Sequence, residues 1–423
     1  MARRRKSSRG QIGGRRAFYV RTDLRPTYGP KRRRRISPTA VFSIILVMLV
    51  AGGAAYALLI RPSVSSSNTA KTPLLSSLIA PGATTATPNL STTKAAKKPA
   101  SPPTPAARPT VSIAAVGDIC FMDSNHRSLG SAESLLSAMK SQLSAADITV
   151  GNLEVALTSA GAAQDKTYTF RAPLSNAEGM VASGLDVVSV ANNHALDYGR
   201  DQLPAELDAL RQAGLTVAGG GLNKKQAWSP QTVNRNGARI GVLAFSEITP
   251  AEFAATDAQP GVAYTQDSTA MTAAVAAAKA SKQYDYLIVV MHWGVEGDYQ
   301  NSKRQSTEAH AMIDAGADAI IGSHPHRIQG VEYYKNGLIA YSLGNFVFGT
   351  SGLANNQTML LNFQLTDSGV QAVTATPIYI LRGKPVLADG SDWDKIAQII
   401  KTTSAYNGTP VTFKNNIALF GKK

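Results

Sequence analysis

One cysteine, Cys120, stands among 423 residues. No disulfide can form within the chain, so whatever folds must be held by its core; an oxidising exterior permits disulfides without demanding them. Aromatic residues are missing altogether between Arg61 and Pro109, a stretch that carries nine prolines and is otherwise rich in Ser, Thr and Ala. Such a segment cannot bury enough apolar surface to offset its ordering entropy, and a disordered linker is expected over 61–109. A charge excess is also missing from most of the chain. Residues 1–36 hold fourteen Lys/Arg against one acid, Asp23, which leaves the other 387 residues with only +2 of the total +15. Nucleic-acid binding rests on many Lys/Arg contacts to phosphate, so no nucleic acid is expected as a partner of the near-neutral body. Internal repeats are absent too.

Long hydrophobic runs are absent except for one. Thr39–Ile60 is uncharged and follows directly on the basic run Lys31–Arg35. About 20 apolar residues are what a ~30 Å hydrocarbon core requires, and a basic flank resists translocation. The expected topology is therefore a basic cytoplasmic tail over 1–38, one transmembrane helix over 39–60, the linker, and a domain over 110–423 outside the cell membrane. The helix and the basic tail make membrane lipid an expected partner.

From Thr110 onward short apolar runs alternate with helical stretches. The expected strands are Val111–Val116, Ile148–Val150, Val187–Ala191, Ile240–Phe245, Tyr286–Met291 and Ala319–Ile321. Helices are expected at Ala132–Leu143, Leu203–Ala213, Ser268–Lys282 and Ser302–Ala315. Strands alone follow, at Leu338–Ser342, Met359–Leu365 and Val370–Tyr379, with a last helix near Trp393–Lys401. This alternation predicts a layered α/β domain whose buried strands read as continuous apolar runs.

Polar residues follow those strands in a pattern. Asp118, Asn152 with Glu154, Asn192-Asn193-His194, His292, and His324-Pro325-His326 each lie just past a strand, and four of the six histidines are among them. In α/β sheets such ends converge in space. Taken singly, Gly117-Asp118 and Asn192-Asn193 also read as turns. In an extended backbone His324 and His326 would point the same way unless a turn rotates one of them. Imidazole, carboxylate and amide oxygen together suit a borderline divalent ion such as Mn, Fe or Zn.

The motifs AAVGDI, GNLE, FRAP, VANNHALDYG, MHWGVEGDY, IDAGADAIIGSHPHRIQGVE and YSLGNFVFG, spread over Val111–Thr350, resemble the CapA family of capsule synthesis proteins, which includes the PgsA-type component of poly-γ-glutamate machinery. That family is in turn similar to the calcineurin-like metallophosphoesterases. The resemblance implies a layered β-sandwich flanked by helices, and a part in synthesis of poly-γ-glutamate or a related surface polymer. It implies Asp118, Asn193, His292, His324 and His326 as metal ligands and His194 as the proton-donating residue. Phosphoesterases usually begin Asp-X-His, where this chain has Cys120, and their bridging Asp is replaced by Asn152, with Glu154 the nearest carboxylate. One metal ion or two is therefore expected.

Arg171, with Lys303 or Arg304, is a candidate to hold an anionic substrate. Glu296 is a candidate ligand, base or loop residue. Asn345 either supplies an amide to the substrate or makes a turn with Gly344. Two functions follow. The first is a metal-dependent hydrolase or transferase acting on an anionic polymer or its precursor. The second is a non-catalytic accessory subunit that binds polymer and membrane-bound synthase components.

Overall fold

Strand Val111–Asp123 organises the domain because both of its faces are buried and both of its edges are paired. It runs parallel to Ile148–Leu153, which pairs in parallel with Val187–Ser189, and that in turn with Thr216–Ala218. On its other edge it runs antiparallel to Gln357–Thr366, beyond which lies Gly369–Leu381. A second sheet is parallel through Ala238–Ser246, Tyr286–His292, Ala319–Ser323 and Gly337–Ala340, with antiparallel Gln231–Arg235 and Val331–Tyr334 at its edges. The computed structural model describes residues 107–349 and 352–422; among them the two sheets have ten and six strands.

The sheets face each other across one apolar core. Ile113, Val150 and Val187 from the first sheet meet Ile240, Ile288 and Ile321 from the second. Alternate residues point outward and are covered by helices. Val188 and Val217 pack with Leu207 and Leu210 of helix Leu203–Ala213. Leu287 and Val289 pack with Met271 and Val275 of helix Ser268–Ala280 and with Met312 of helix Lys303–Asp314. The layered α/β expectation is met, and burial on both faces is why these strands read as unbroken apolar runs.

Local chemistry sets the element ends. Ser302 and Gln305 form a reciprocal capping box that starts helix Lys303–Asp314. Gly214, at φ 107°, ends helix Leu203–Ala213. The single helix expected over 132–143 is instead Ala132–Leu136, a 3-10 turn Ser137–Met139, and Lys140–Leu143. Ser137 Oγ donates to the Ser134 carbonyl (2.9 Å) where the helix tightens. Helix Ser268–Ala280 stops short of Lys282, which takes φ 56°. The last helix is longer than expected, Gly390–Tyr406. Asn345–Gly349 is a strand that pairs in parallel with Val111–Asp123, and the apolar pattern of LGNFVFG does not separate it from a turn.

The expected tail, membrane helix and most of the linker lie outside the described residues. Among those described, no helix is long and apolar enough to cross a membrane. At the start of the described chain, the Arg108 guanidinium bonds Asp367 (2.9 Å) and the Asp285 carbonyl (2.6 Å) and lies 4.6 Å over the Tyr286 ring.

Glu206 is buried on helix Leu203–Ala213 with Oε1 lacking a hydrogen-bond partner. Burial pushes its carboxyl up to about 8, opposed only by the Leu157 N–H. Because the folded value is the raised one, the unfolded chain releases this proton first. Stability is then fully present below about 4.5 and is lost as pH rises toward 8. Glu206→Gln is expected to remove this slope, worth on the order of 2–4 kcal/mol by pH 7. Thermal unfolding from pH 4.5 to 8 tests it; an unchanged slope in the variant contradicts the assignment.

Candidate metal centre

Parallel register assembles the site. Asp118 stands opposite Asn152 on one side and Asn345 on the other, while Asn152 stands opposite Ser189. In the second sheet His292 stands opposite both Ser246 and Ser323. Asn152, Ser189, Ser246, His292 and Ser323 end or nearly end their strands, while Asp118 lies past the middle of its strand and Asn345 opens its own. The parallel register brings these polar side chains together at one end of the core. Two close backbone approaches make this possible. A Cβ on Gly117 would lie 1.8 Å from the Gly344 carbonyl oxygen, which accepts the Asp118 N–H (3.0 Å). A Cβ on Gly322 would lie 2.0 Å from the Tyr341 carbonyl oxygen.

Two groups of donors meet here. Glu154, His292 and His324 form one; Asp118, Glu154 and His326 form the other, with the donor atoms of each within 4.8 Å of one another. His326 Nδ1 lies 3.3 Å from Asp118 Oδ2, and Glu154 Oε1 lies 3.8 Å from Nε2 of both His292 and His326. Asn193 Oδ1 is 2.9 Å from His292 Nε2. The His324-Pro325-His326 segment is not extended: His324 takes φ 94° and His326 φ 54°, and the rings lie 6.1 Å apart. Two non-glycine residues in this region of backbone are strained, and the strain turns one ring into each group.

The chemistry of the donors fits a cation. Ser323 Oγ donates its proton to the Met291 carbonyl (3.0 Å), so it accepts from His292 Nδ1–H (3.0 Å). His292 Nε2 then carries a lone pair, facing Asn193 Oδ1 with no proton between them. Glu154 Oε1 and His324 Nδ1 are buried without hydrogen-bond partners. Buried acceptors left unpaired are costly, and an ion satisfies several at once. Burial pushes the Glu154 carboxyl well up, reinforced by Asp118. Burial, then the neighbouring histidines, hold His292 well below its ordinary value and lower His324 to about 4, leaving neutral imidazoles suited to a metal. For His326 burial opposes the cation, yet the bond to Asp118 raises it above the ordinary value.

Beside these donors opens a cavity of about 450 Å³, whose wall includes His194, Asn193, His324, His326, Glu296 and Asn345. His194 is held by Asp197, whose Oδ2 lies 2.6 Å from Nδ1, leaving Nε2 as its free nitrogen. Burial lowers the His194 value, Asp197 raises it and Lys166 lowers it again. The buried Asp197 also accepts the Phe170 N–H (2.7 Å) and pairs with Lys166, whose ammonium bonds the Asn193 carbonyl as well. Phe170 lies 4.6 Å from the His194 ring and Phe348 5.1 Å from His326.

Nine of the sequence-derived candidates converge here: Asp118, Asn152, Glu154, Asn193, His194, His292, His324, His326 and Asn345, with the exposed Glu296 on the same cavity wall. Asn345 accepts at Oδ1 from His326 Nδ1 (2.7 Å). Arg171 is exposed, 4.7 Å over the Tyr198 ring, and is not on the cavity wall. Arg304 is held by Glu247 (2.8 Å) and Glu308 (2.9 Å). Sequence reasoning missed Asp197 and Lys166. The three-residue step from His194 to Asp197 was a readable signal for the first; Lys166 sits in a loop with none.

Residues 112–350, more than half of the chain, match the family described as bacterial capsule synthesis protein PGA_cap. The chain belongs to that family. Capsule biosynthesis protein CapA of Bacillus anthracis is 35% identical over 223 residues, 52% of this chain and 54% of that protein. The match thus spans about half the length of that relative. A Mycobacterium tuberculosis protein named "Probable polyglutamine synthesis accessory protein" is 28% identical over 284 residues, 63% of this chain and 75% of that one. Among solved structures, NAD nucleotidase of Haemophilus influenzae is similar at 12% identity and a TM-score of 0.39, covering 69% of this chain and 62% of that one. The matched span contains every donor of both groups.

Proposed function

We propose that this capsule synthesis protein is a membrane-anchored, extracytoplasmic, metal-dependent hydrolase or transferase. Its substrate is poly-γ-glutamate, a related anionic surface polymer, or the precursor of either. One observation carries the reading: acceptors from both sheets converge, buried and partly unpartnered, beside a cavity that also presents an oriented histidine. Asp118, Glu154, Asn193, His292, His324 and His326 would hold the ion, which supplies Lewis acidity and an activated water near neutral pH. His194 exchanges a proton at Nε2, its ring kept in place by Asp197. Among the described residues Lys166 is the one Lys or Arg on the cavity wall, and it is engaged by Asp197 and the Asn193 carbonyl. Positive charge for an anionic substrate then falls to the ion. The likeness of the motifs to metallophosphoesterases supports the same chemistry.

The name of the Mycobacterium relative favours a second reading, an accessory subunit that binds polymer and membrane synthase components. The two separate on His194→Ala in the full chain. Hydrolase or transferase action predicts a loss of about 10²–10⁴-fold in turnover of polymer or precursor, the range for a general acid or base. Wild-type surface polymer in cells expressing His194→Ala, together with lost polymer on deletion of residues 39–60, would instead support the accessory subunit.

A further inference from the structure

The strand Ile148–Leu153 and the residue that follows it bring two side chains to the donor cluster from one face. Asn152 and Glu154 are two residues apart, so they point the same way where the strand ends. Three amide and backbone contacts determine which end of Asn152 faces the carboxylates. The His194 N–H donates to Asn192 Oδ1 (3.0 Å), which fixes that oxygen. Asn192 Nδ2 therefore faces the Leu153 carbonyl (2.8 Å) and Asn152 Oδ1 (3.1 Å). Asn152 Nδ2 is then left to donate to Asp118 Oδ1 (2.8 Å) and Glu154 Oε2 (3.3 Å). Backbone groups fix the Asn192 amide at one end of this relay and carboxylates receive the Asn152 amide at the other, so turning either amide over would set oxygen against oxygen or nitrogen against nitrogen.

Glu154 is in the opposite situation. It is the only residue common to the two donor groups. Oε2 takes the Asn152 amide, while Oε1 is buried, unpartnered, and 3.8 Å from one histidine of each group.

We propose that Glu154 is a carboxylate shared between two adjacent metal positions, and that Asn152 is no ligand but the donor that positions Glu154 and Asp118. The proposal rests on reading the cluster as a metal centre. One position takes His292, His324 and Asn193; the other takes Asp118 and His326. The longer Glu side chain, two residues further along the same face, reaches the point between them. Asn at 152 relieves the repulsion that a third carboxylate would bring to Asp118 and Glu154.

The test uses the full chain, stripped with chelator and titrated with Mn(II), read by elemental analysis and by low-temperature electron paramagnetic resonance. Wild type is expected to take two ions per chain with an exchange-coupled spectrum. Glu154→Gln is expected to hold at most one, with an uncoupled signal. Asn152→Ala is expected to keep the coupled pair at about 10–100-fold weaker affinity, the range for a residue that orients ligands. Glu154→Asp keeps the charge and guards against a misfolded Gln variant: as a shared ligand, it should weaken both binding steps together. A coupled pair that survives in Glu154→Gln overturns the proposal, as does an Asn152→Ala variant that loses coupling with it. A single ion in wild type overturns the shared carboxylate and leaves the metal reading standing; no ion at all overturns both.

Discussion

With alanine at both His324 and His326, the full chain is expected to lose its divalent ion while keeping its fold. The two substitutions remove one donor from each group. Apparent binding energies of about 10–16 kcal/mol over four ligands average about 3 kcal/mol per ligand, roughly 100-fold each. Losing one donor from each group thus weakens each position by about 100-fold, or about 10⁴-fold for the two together, so dialysis should deplete both. The ion-free fold should tolerate the change. His324 Nδ1 already lacks a partner, and removing a buried unpaired nitrogen relieves a desolvation cost. Both positions have positive φ, which histidine adopts more readily than alanine, so the change carries a small backbone cost that thermal unfolding reads. Elemental mass spectrometry beside thermal unfolding checks both halves. Stoichiometric metal in the folded double variant would show that the ion sits elsewhere.

Gly117→Val is expected to be the most damaging single change in the described domain. Its Cβ would lie 1.8 Å from the Gly344 carbonyl oxygen and 2.8 Å from the Gly344 carbonyl carbon, both backbone atoms that no rotamer change can move. Separating the segments sacrifices the bond from Asp118 N–H to that oxygen (3.0 Å). Overpacking costs about 1–3 kcal/mol, and a buried donor and acceptor left unpaired add about 1–3 each. The sum, about 5 kcal/mol, corresponds to roughly 10–20 °C in Tm for a domain of this size. The same displacement moves Asp118 away from Asn345 and His326, so metal affinity should fall with stability. A variant within a few degrees of wild type would mean that these strands part without resistance.

Reading ahead of the structure which side chains converge worked where a residue's position along a strand carries its meaning. Asp118, His292 and the His-Pro-His segment end apolar runs, and parallel sheets gather such ends. It failed where geometry depends on partners distant in sequence. Lys166 contributes through Asp197 and the Asn193 carbonyl, 31 and 27 residues away, and nothing in its own loop indicates this. Arg171 and Arg304, attractive as free cations, are held over Tyr198 and between Glu247 and Glu308. The strand Asn345–Gly349 was hidden because a glycine turn followed by Phe-Val-Phe reads equally as a turn and core residues.

The residues by themselves determined the layered α/β class, the strand-end cluster and its borderline donor chemistry, because hydrophobic periodicity and donor type are local properties of a chain. Only the tertiary structure decided how the cluster divides. Positive φ at His324 and His326 turns their rings into different groups, and packing of two sheets brings His292 to Glu154. The direction of the Asn192 amide is set by backbone groups from separate segments, and that of Asn152 by Asn192 in turn. Those are relations between segments, and a sequence lists residues in an order that does not contain them.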